Sequence, residues 1–181
     1  MERKMIYADN AATTKLSEAA LSAMLPYLRE EYGNPSGLYA FAQRQKEVLE
    51  RCRGEIAKIL NCEAREIYLT SGGSEADNQA LLSLAAAGEK KGKKHIVSTA
   101  FEHHAVLHTL RKLQARGFEV TLLPVHEDGI VRPEEAEAAI RPDTAFVTVM
   151  YANNEIGTIQ PIPEIGELCR ERGVWFHTDA V

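Results

Sequence analysis

The side chains best suited to chemistry fall in four short stretches, each following an apolar segment. In "TSGGSEADN" (70–78), two glycines precede a helix that opens at Ser74. Glycines let a backbone approach an anion closely, and the free N–H groups of a first helical turn point at it. The same letters also read as a tight turn with a Ser74-x-x-Asp77 capping box, which needs no ligand. Neither the Gly-Lys-Ser/Thr ending of a P-loop nor G-x-G-x-x-G is present. In "EHHAVLH" (102–108), His103 stands at the mouth of a helix. An imidazole there can stack on an aromatic ligand and exchange protons near neutral pH, although the position equally suits a surface residue. His104 and His108 share a helix face, but no third ligand accompanies them and the pattern is not H-E-x-x-H. No metal site is expected.

"YANNEIG" (151–157) offers Asn153 and Asn154, which can build a turn or present an amide to a ligand hydroxyl. Finally, "FHTDAV" (176–181) places His177 and Asp179 at the C-terminal end of the apolar Val174–Phe176. That end is the ligand-binding edge of an open α/β sheet. The glycine loop, His103, Asn154 and Asp179 all follow apparent strands, and a parallel sheet gathers such ends on one edge.

The elements that must position them follow from periodicity. Ile6–Ala8 reads as a brief strand, and Ser17 caps a helix through about Glu31, with Ala20, Met24 and Leu28 on one face and Pro26 as a possible kink. "YGNPSG" (32–37) breaks the chain before a second helix to Leu60, on which Leu49, Cys52, Ile56 and Ile59 recur. From residue 67 strands and helices alternate. Strands are expected at 67–70, 95–99, 118–125, 144–150 and 174–176, and helices at 74–91, 103–116, 133–140 and up to about Arg172. This order predicts an α/β fold, a mostly parallel sheet with crossover helices. Residues 1–62 form an N-terminal arm with helices, and 63–181 form the sheet domain.

With 45% hydrophobic and 26% charged residues, the 181-residue chain can build a core. The net charge of −5 and the lack of a basic stripe argue against nucleic acid; "EKKGKK" (89–94) suits a solvated turn. No signal peptide is legible in "MERKMIYADN", and no apolar run is long enough for a bilayer. Cys52, Cys62 and Cys169 are odd in number and lack C-x-x-C spacing, as suits reduced thiols in the cytoplasm.

Taken together, "YADNAATTK", "YGNPS", "TSGGSEADN", "FEHHAV", "YANNEIGTIQP" and "FHTDAV", in this order and spacing, resemble the cysteine desulfurases (NifS/IscS-like). These are class V, fold-type I enzymes that use pyridoxal 5'-phosphate (PLP). The likeness runs through the whole chain but covers only about the N-terminal half of such an enzyme, a truncated large domain. It implies that Gly73 and Ser74 contact the cofactor phosphate; the family often has alanine or cysteine, then threonine, at these positions. It further implies that His103 stacks over the pyridine ring and transfers protons, that Asn154 bonds the phenolic oxygen, and that Asp179 pairs with the pyridine nitrogen. The implied reaction takes sulfur from L-cysteine, giving L-alanine and an enzyme persulfide. That sulfur passes to an iron–sulfur scaffold or another acceptor protein, and the intact enzyme is a homodimer.

The family's Schiff-base lysine lies in a Ser-x-His-Lys stretch that is absent from this sequence, and its nucleophilic cysteine has no counterpart here either. Cys52 and Cys169 read as small apolar residues on helices, and Cys62 as a turn residue. The expectation is therefore a fragment that is inactive alone. The same letters leave room for a non-catalytic interaction subunit, and for a selenocysteine lyase or another class V enzyme.

Overall fold

Four parallel strands in the order β2-β1-β3-β4 form the sheet of this computed structural model, which describes residues 5–181. They are β1 (His95–Thr99), β2 (Glu119–Leu123), β3 (Thr144–Thr148) and β4 (Trp175–His177). Helices α1 (Glu18–Arg29) and α2 (Ala40–Leu60) come first, then α3 (Gly73–Glu89). The helices α4 (His104–Ala115), α5 (Pro133–Ala139) and α6 (Ile162–Glu171) make the three crossovers. The chain divides into two compact units at Leu69/Thr70, and the sheet belongs wholly to the second.

In the first unit, Ser17 Oγ accepts the Ala20 N–H at 3.1 Å, so the expected cap forms. α2 ends where Asn61 turns left-handed (φ 54°). Two expected strands do not form: Ile6–Ala8 and residues 67–70 are irregular. Among the described residues neither finds a strand to pair with, and a lone extended segment has no ladder to hold it. The apolar stripes read from the sequence are also largely uncovered. Leu28 is 66% and Ile59 83% exposed, while α2 buries Ala42, Gln45 and Ala57 instead. Cys52 is likewise exposed, not packed as an apolar residue.

In the second unit, side-chain alternation along the strands divides the core into two layers. Ile96 and Phe146 face α3 and α4, meeting Leu81, Val106, Leu110 and Leu113. Val97, Val147 and Val149 face α5 and α6, meeting Ala136, Ile165 and Cys169. All five residues of β1 and of β3 are buried, as a parallel sheet covered on both faces requires. Each fully buried Phe, Ile or Leu contributes about 1.5–3 kcal/mol. His95 braces the strands, bonding Thr144 Oγ1 through Nδ1 and Thr121 Oγ1 through Nε2, both at 2.8 Å. Burial lowers its pKa and favours the neutral ring.

The strand order creates the crevice. From β1 the chain runs by α4 to β2 on one side, whereas from β3 it runs by α6 to β4 on the other. α4 lies in one core layer and α6 in the opposite one, so the loops after β1 and β3 part company. Ligand sites of open α/β sheets form at such a switch point.

Candidate functional site

The two parting loops line a cavity of about 250 Å³, with His103, His104 and Leu107 on one wall and Asn153, Asn154 and Ile156 on the other. His103 is the N-cap of α4, its Nδ1 accepting the Ala105 N–H at 3.2 Å. With Nδ1 acting as an acceptor, the neutral ring carries its proton on Nε2. The ring itself is exposed. His104 and His108 pack edge to face at 5.5 Å, and among the described residues no three His, Cys, Asp or Glu converge as metal ligands.

The opposite wall is built by Asn153. Its Oδ1 accepts the N–H groups of Glu155 and Ile156, each at 2.9 Å, and its Nδ2 donates to Phe101 O at 2.9 Å. Asn153 is thus the turn residue that also ties the two loops together, leaving the exposed Asn154 on the cavity rim. Gln160 fixes the far end of this loop. Its Oε1 accepts the Val131 N–H (2.9 Å) and its Nε2 donates to Gly129 O (2.8 Å).

Beside this cavity lies a second group of residues, at the N-terminus of α3 and the end of β4. The expected Ser74–Asp77 capping box does not form. Glu75 reaches back instead, accepting from Ser71 N (2.7 Å) and Ser71 Oγ (2.6 Å), bonds that hold its carboxyl below the usual range. The first helical N–H groups, those of Gly73 and Ser74, have no backbone partner among the described residues. Gly73 passes so near Val181 that a Cβ there would stand 2.4 Å from the valine Cγ2. The α3 terminus and the Asp179 segment are therefore in contact. Asp179 is only 8% exposed; its Oδ1 accepts the Val181 N–H at 3.0 Å, and its carbonyl accepts the Tyr151 N–H at 2.7 Å.

Two further acids lie outside the site residues expected from the sequence. Asp77, 4% exposed, faces His177, with Oδ1 3.6 Å from Nε2. Burial, then the nearby Asp179, pushes its pKa up to about 6, against a smaller opposing pull from His103. Glu102, also 4% exposed, accepts from Thr99 Oγ1 (2.8 Å) and Met150 N (2.9 Å) through Oε1, while its buried Oε2 has no partner. Burial outweighs these bonds and raises it to about 7, with Asp179 and Asp77 adding to the rise. No lysine or arginine among the described residues forms a salt bridge with any of the three acids. The residues read from the sequence thus form two adjoining groups, His103 with Asn154 and Gly73–Ser74 with Asp179. Asp77 feels the charge of both.

The chain is similar to known proteins in both sequence and fold. Residues 6–181 match the family model described as aminotransferase class-V. The chain is 52% identical over 178 residues to the cysteine desulfurase IscS of Clostridium botulinum (strain Kyoto / Type A2), covering 98% of this chain and 45% of that protein. It is 51% identical to the cysteine desulfurase IscS of Methanosarcina thermophila, covering 99% and 44%. Among solved structures, a NifS-like protein superposes with a TM-score of 0.91 at 37% identity, covering 96% of this chain and 48% of that one. A structure described as SspA in complex with cysteine gives 0.91 at 36%, covering 96% and 50%. The fold is thus that of the NifS/IscS-like enzymes, and the chain spans about half the length of the relatives it matches.

Proposed function

The chain belongs to the class-V aminotransferase family, and from that premise we propose that it builds the cofactor cradle of a PLP-dependent cysteine desulfurase. The observation that carries this reading is the buried acid cluster beside the switch-point cavity, where Asp179 lies against the α3 terminus and no lysine or arginine among the described residues pairs with it. A protonated pyridine nitrogen is the kind of cation such a cluster lacks, and the N–H groups of Gly73 and Ser74 are the kind of donors a phosphate takes. The residues present therefore fit the cofactor by charge.

When bound, PLP supplies an electron sink for a carbanion at the substrate's α-carbon. The chain's own residues supply the setting. Asp179 would pair with the ring nitrogen and keep it protonated, since an opposite charge at contact favours the cationic form. His103 would stack on the ring and has on Nε2 a proton to deliver, which its cap bond leaves free. Asn154 offers its amide to the phenolic oxygen. Asn153 and Gln160 keep that loop in place through their bonds to Phe101 O, Val131 N and Gly129 O.

L-cysteine as substrate is supported by the names of the IscS relatives and by the cysteine complex of the SspA neighbour. The products are L-alanine and a persulfide whose sulfur passes to an iron–sulfur scaffold or another acceptor protein. The resemblance also implies a Schiff-base lysine and a sulfur-accepting cysteine, and neither has a counterpart among these 181 residues. The intact protein acts as a homodimer in the cytoplasm. The test is alanine formation from L-cysteine by the full-length protein, with and without PLP. Cofactor-dependent alanine release is expected; none from a PLP-loaded protein would overturn the assignment.

A further inference from the structure

Asp77 is a buried carboxylate to which the cofactor reading assigns no task. It sits on α3 four residues beyond Gly73, is 4% exposed, and its carboxylate makes no hydrogen bond among the described residues. Its nearest polar neighbour is the His177 ring, with Nε2 3.6 Å from Oδ1, longer than a hydrogen bond yet close enough to orient one. On its other side the same ring meets Thr148 Oγ1, 2.9 Å from Nδ1. His177 closes β4, and Asp179 follows two residues later.

An ionised carboxylate can only accept hydrogen bonds, whereas a hydroxyl can donate or accept. The order Asp77–His177–Thr148 therefore has one consistent assignment for a neutral ring. The proton sits on Nε2 toward Asp77, and the Thr148 hydroxyl donates to Nδ1. Burial keeps the imidazole below its usual pKa, which favours the neutral form, against a smaller upward pull from Asp179. The charged or titratable groups facing Asp77 are His177 and Asp179 from the β4 segment, and His103 and Glu102 from the β1–α4 loop.

We propose that Asp77 is a positioning residue: through its contact with Nε2 it selects the His177 tautomer and ring orientation, and so fixes the end of β4 from which Asp179 projects. Orienting partners behind a ligand act in this way in metal sites, where a carboxylate sets the tautomer of a histidine. The value of the arrangement for PLP rests on the cofactor reading, but the tautomer itself does not.

The experiment compares Asp77→Asn with Asp77→Leu in the full-length protein. Asn keeps an acceptor oxygen, and Leu has a similar shape without one. It also removes a buried acid, so folding is not put at risk by an unpaired charge. The first readout is the ring 15N signature of His177 in cofactor-free protein, identified by its loss in His177→Asn. The Nε2–H form is expected in the native protein and in Asp77→Asn, and a mixture of tautomers in Asp77→Leu. The second readout is PLP affinity by fluorescence titration. A loss of about tenfold is expected for Asp77→Leu, the order seen when an orienting partner is removed, with little change for Asp77→Asn. An unchanged tautomer in Asp77→Leu overturns the proposal. A lost tautomer with no PLP binding by any of these proteins overturns the cofactor reading and leaves the positioning role standing.

Discussion

Glu102 makes the stability of this chain depend on pH in a direction opposite to that of most carboxylates. Its carboxyl goes from an ordinary value of 4.5 to about 7 on folding, chiefly through burial. Between those two values the folded chain still holds a proton that the unfolded chain has released, so rising pH favours unfolding. The stability associated with Glu102 is complete below pH 4.5 and is lost as pH rises through about 7. At 1.36 kcal/mol per pH unit the loss is about 3 kcal/mol. Glu102→Gln removes the titration and keeps the geometry, because the amide oxygen can accept from Thr99 Oγ1 and Met150 N as Oε1 does. The assay is urea denaturation of both full-length proteins between about pH 4 and pH 8.5, a window that spans both the ordinary and the raised value. The variant is expected to match the native protein at the acid end and to exceed it by about 3 kcal/mol at the alkaline end. Asp77, raised in the same direction chiefly by its own burial, is common to both proteins, so that main part of its titration cancels in the difference. Parallel curves for the two proteins would refute the reasoning.

Two other outcomes concern the loop after β3 and the core beneath α6. Asn153→Ala deletes three bonds of 2.9 Å to Glu155 N, Ile156 N and Phe101 O; thermal denaturation should show a loss of about 2–4 kcal/mol, at roughly 1 kcal/mol per bond. A loss under about 0.5 kcal/mol, the range of ordinary surface changes, would mean that Asn153 does not tie the loops. Cys169 is buried on the inner face of α6 with its thiol pushed up to about 11, so alkylation mapped by mass spectrometry should miss it in the native protein and reach it after denaturation.

The sheet was legible because its signals are local. "HIVST" and "TAFVT" are apolar enough to be buried strands, and helical periodicity between them marks crossovers, which leave a parallel sheet as the solution. Where the expectation failed, the missing information was not local. Residues 67–70 have the composition of a strand, but a strand exists only with a partner to bond. The stripes on α1 and α2 show the right spacing for burial without saying what covers them. Of the site, the residues at strand ends were visible as positions. Asp77 was not, because Glu75 and Asp77 compete for the same capping role and only the fold shows that Glu75 takes it. Glu102 could have been suspected from an acid directly after a buried strand in "STAFEHH". Its partner Met150 lies 48 residues away, and no spacing rule connects them.

The charge on the pyridine nitrogen tests the cradle most directly, because Asp179 is assigned to put it there. PLP labelled with 15N in the ring, bound to the full-length protein at about pH 8, should show a protonated nitrogen, and Asp179→Asn should shift it to the unprotonated form. An unprotonated nitrogen in the native protein, or a protonated one that survives Asp179→Asn, would contradict the pairing of Asp179 with the cofactor ring.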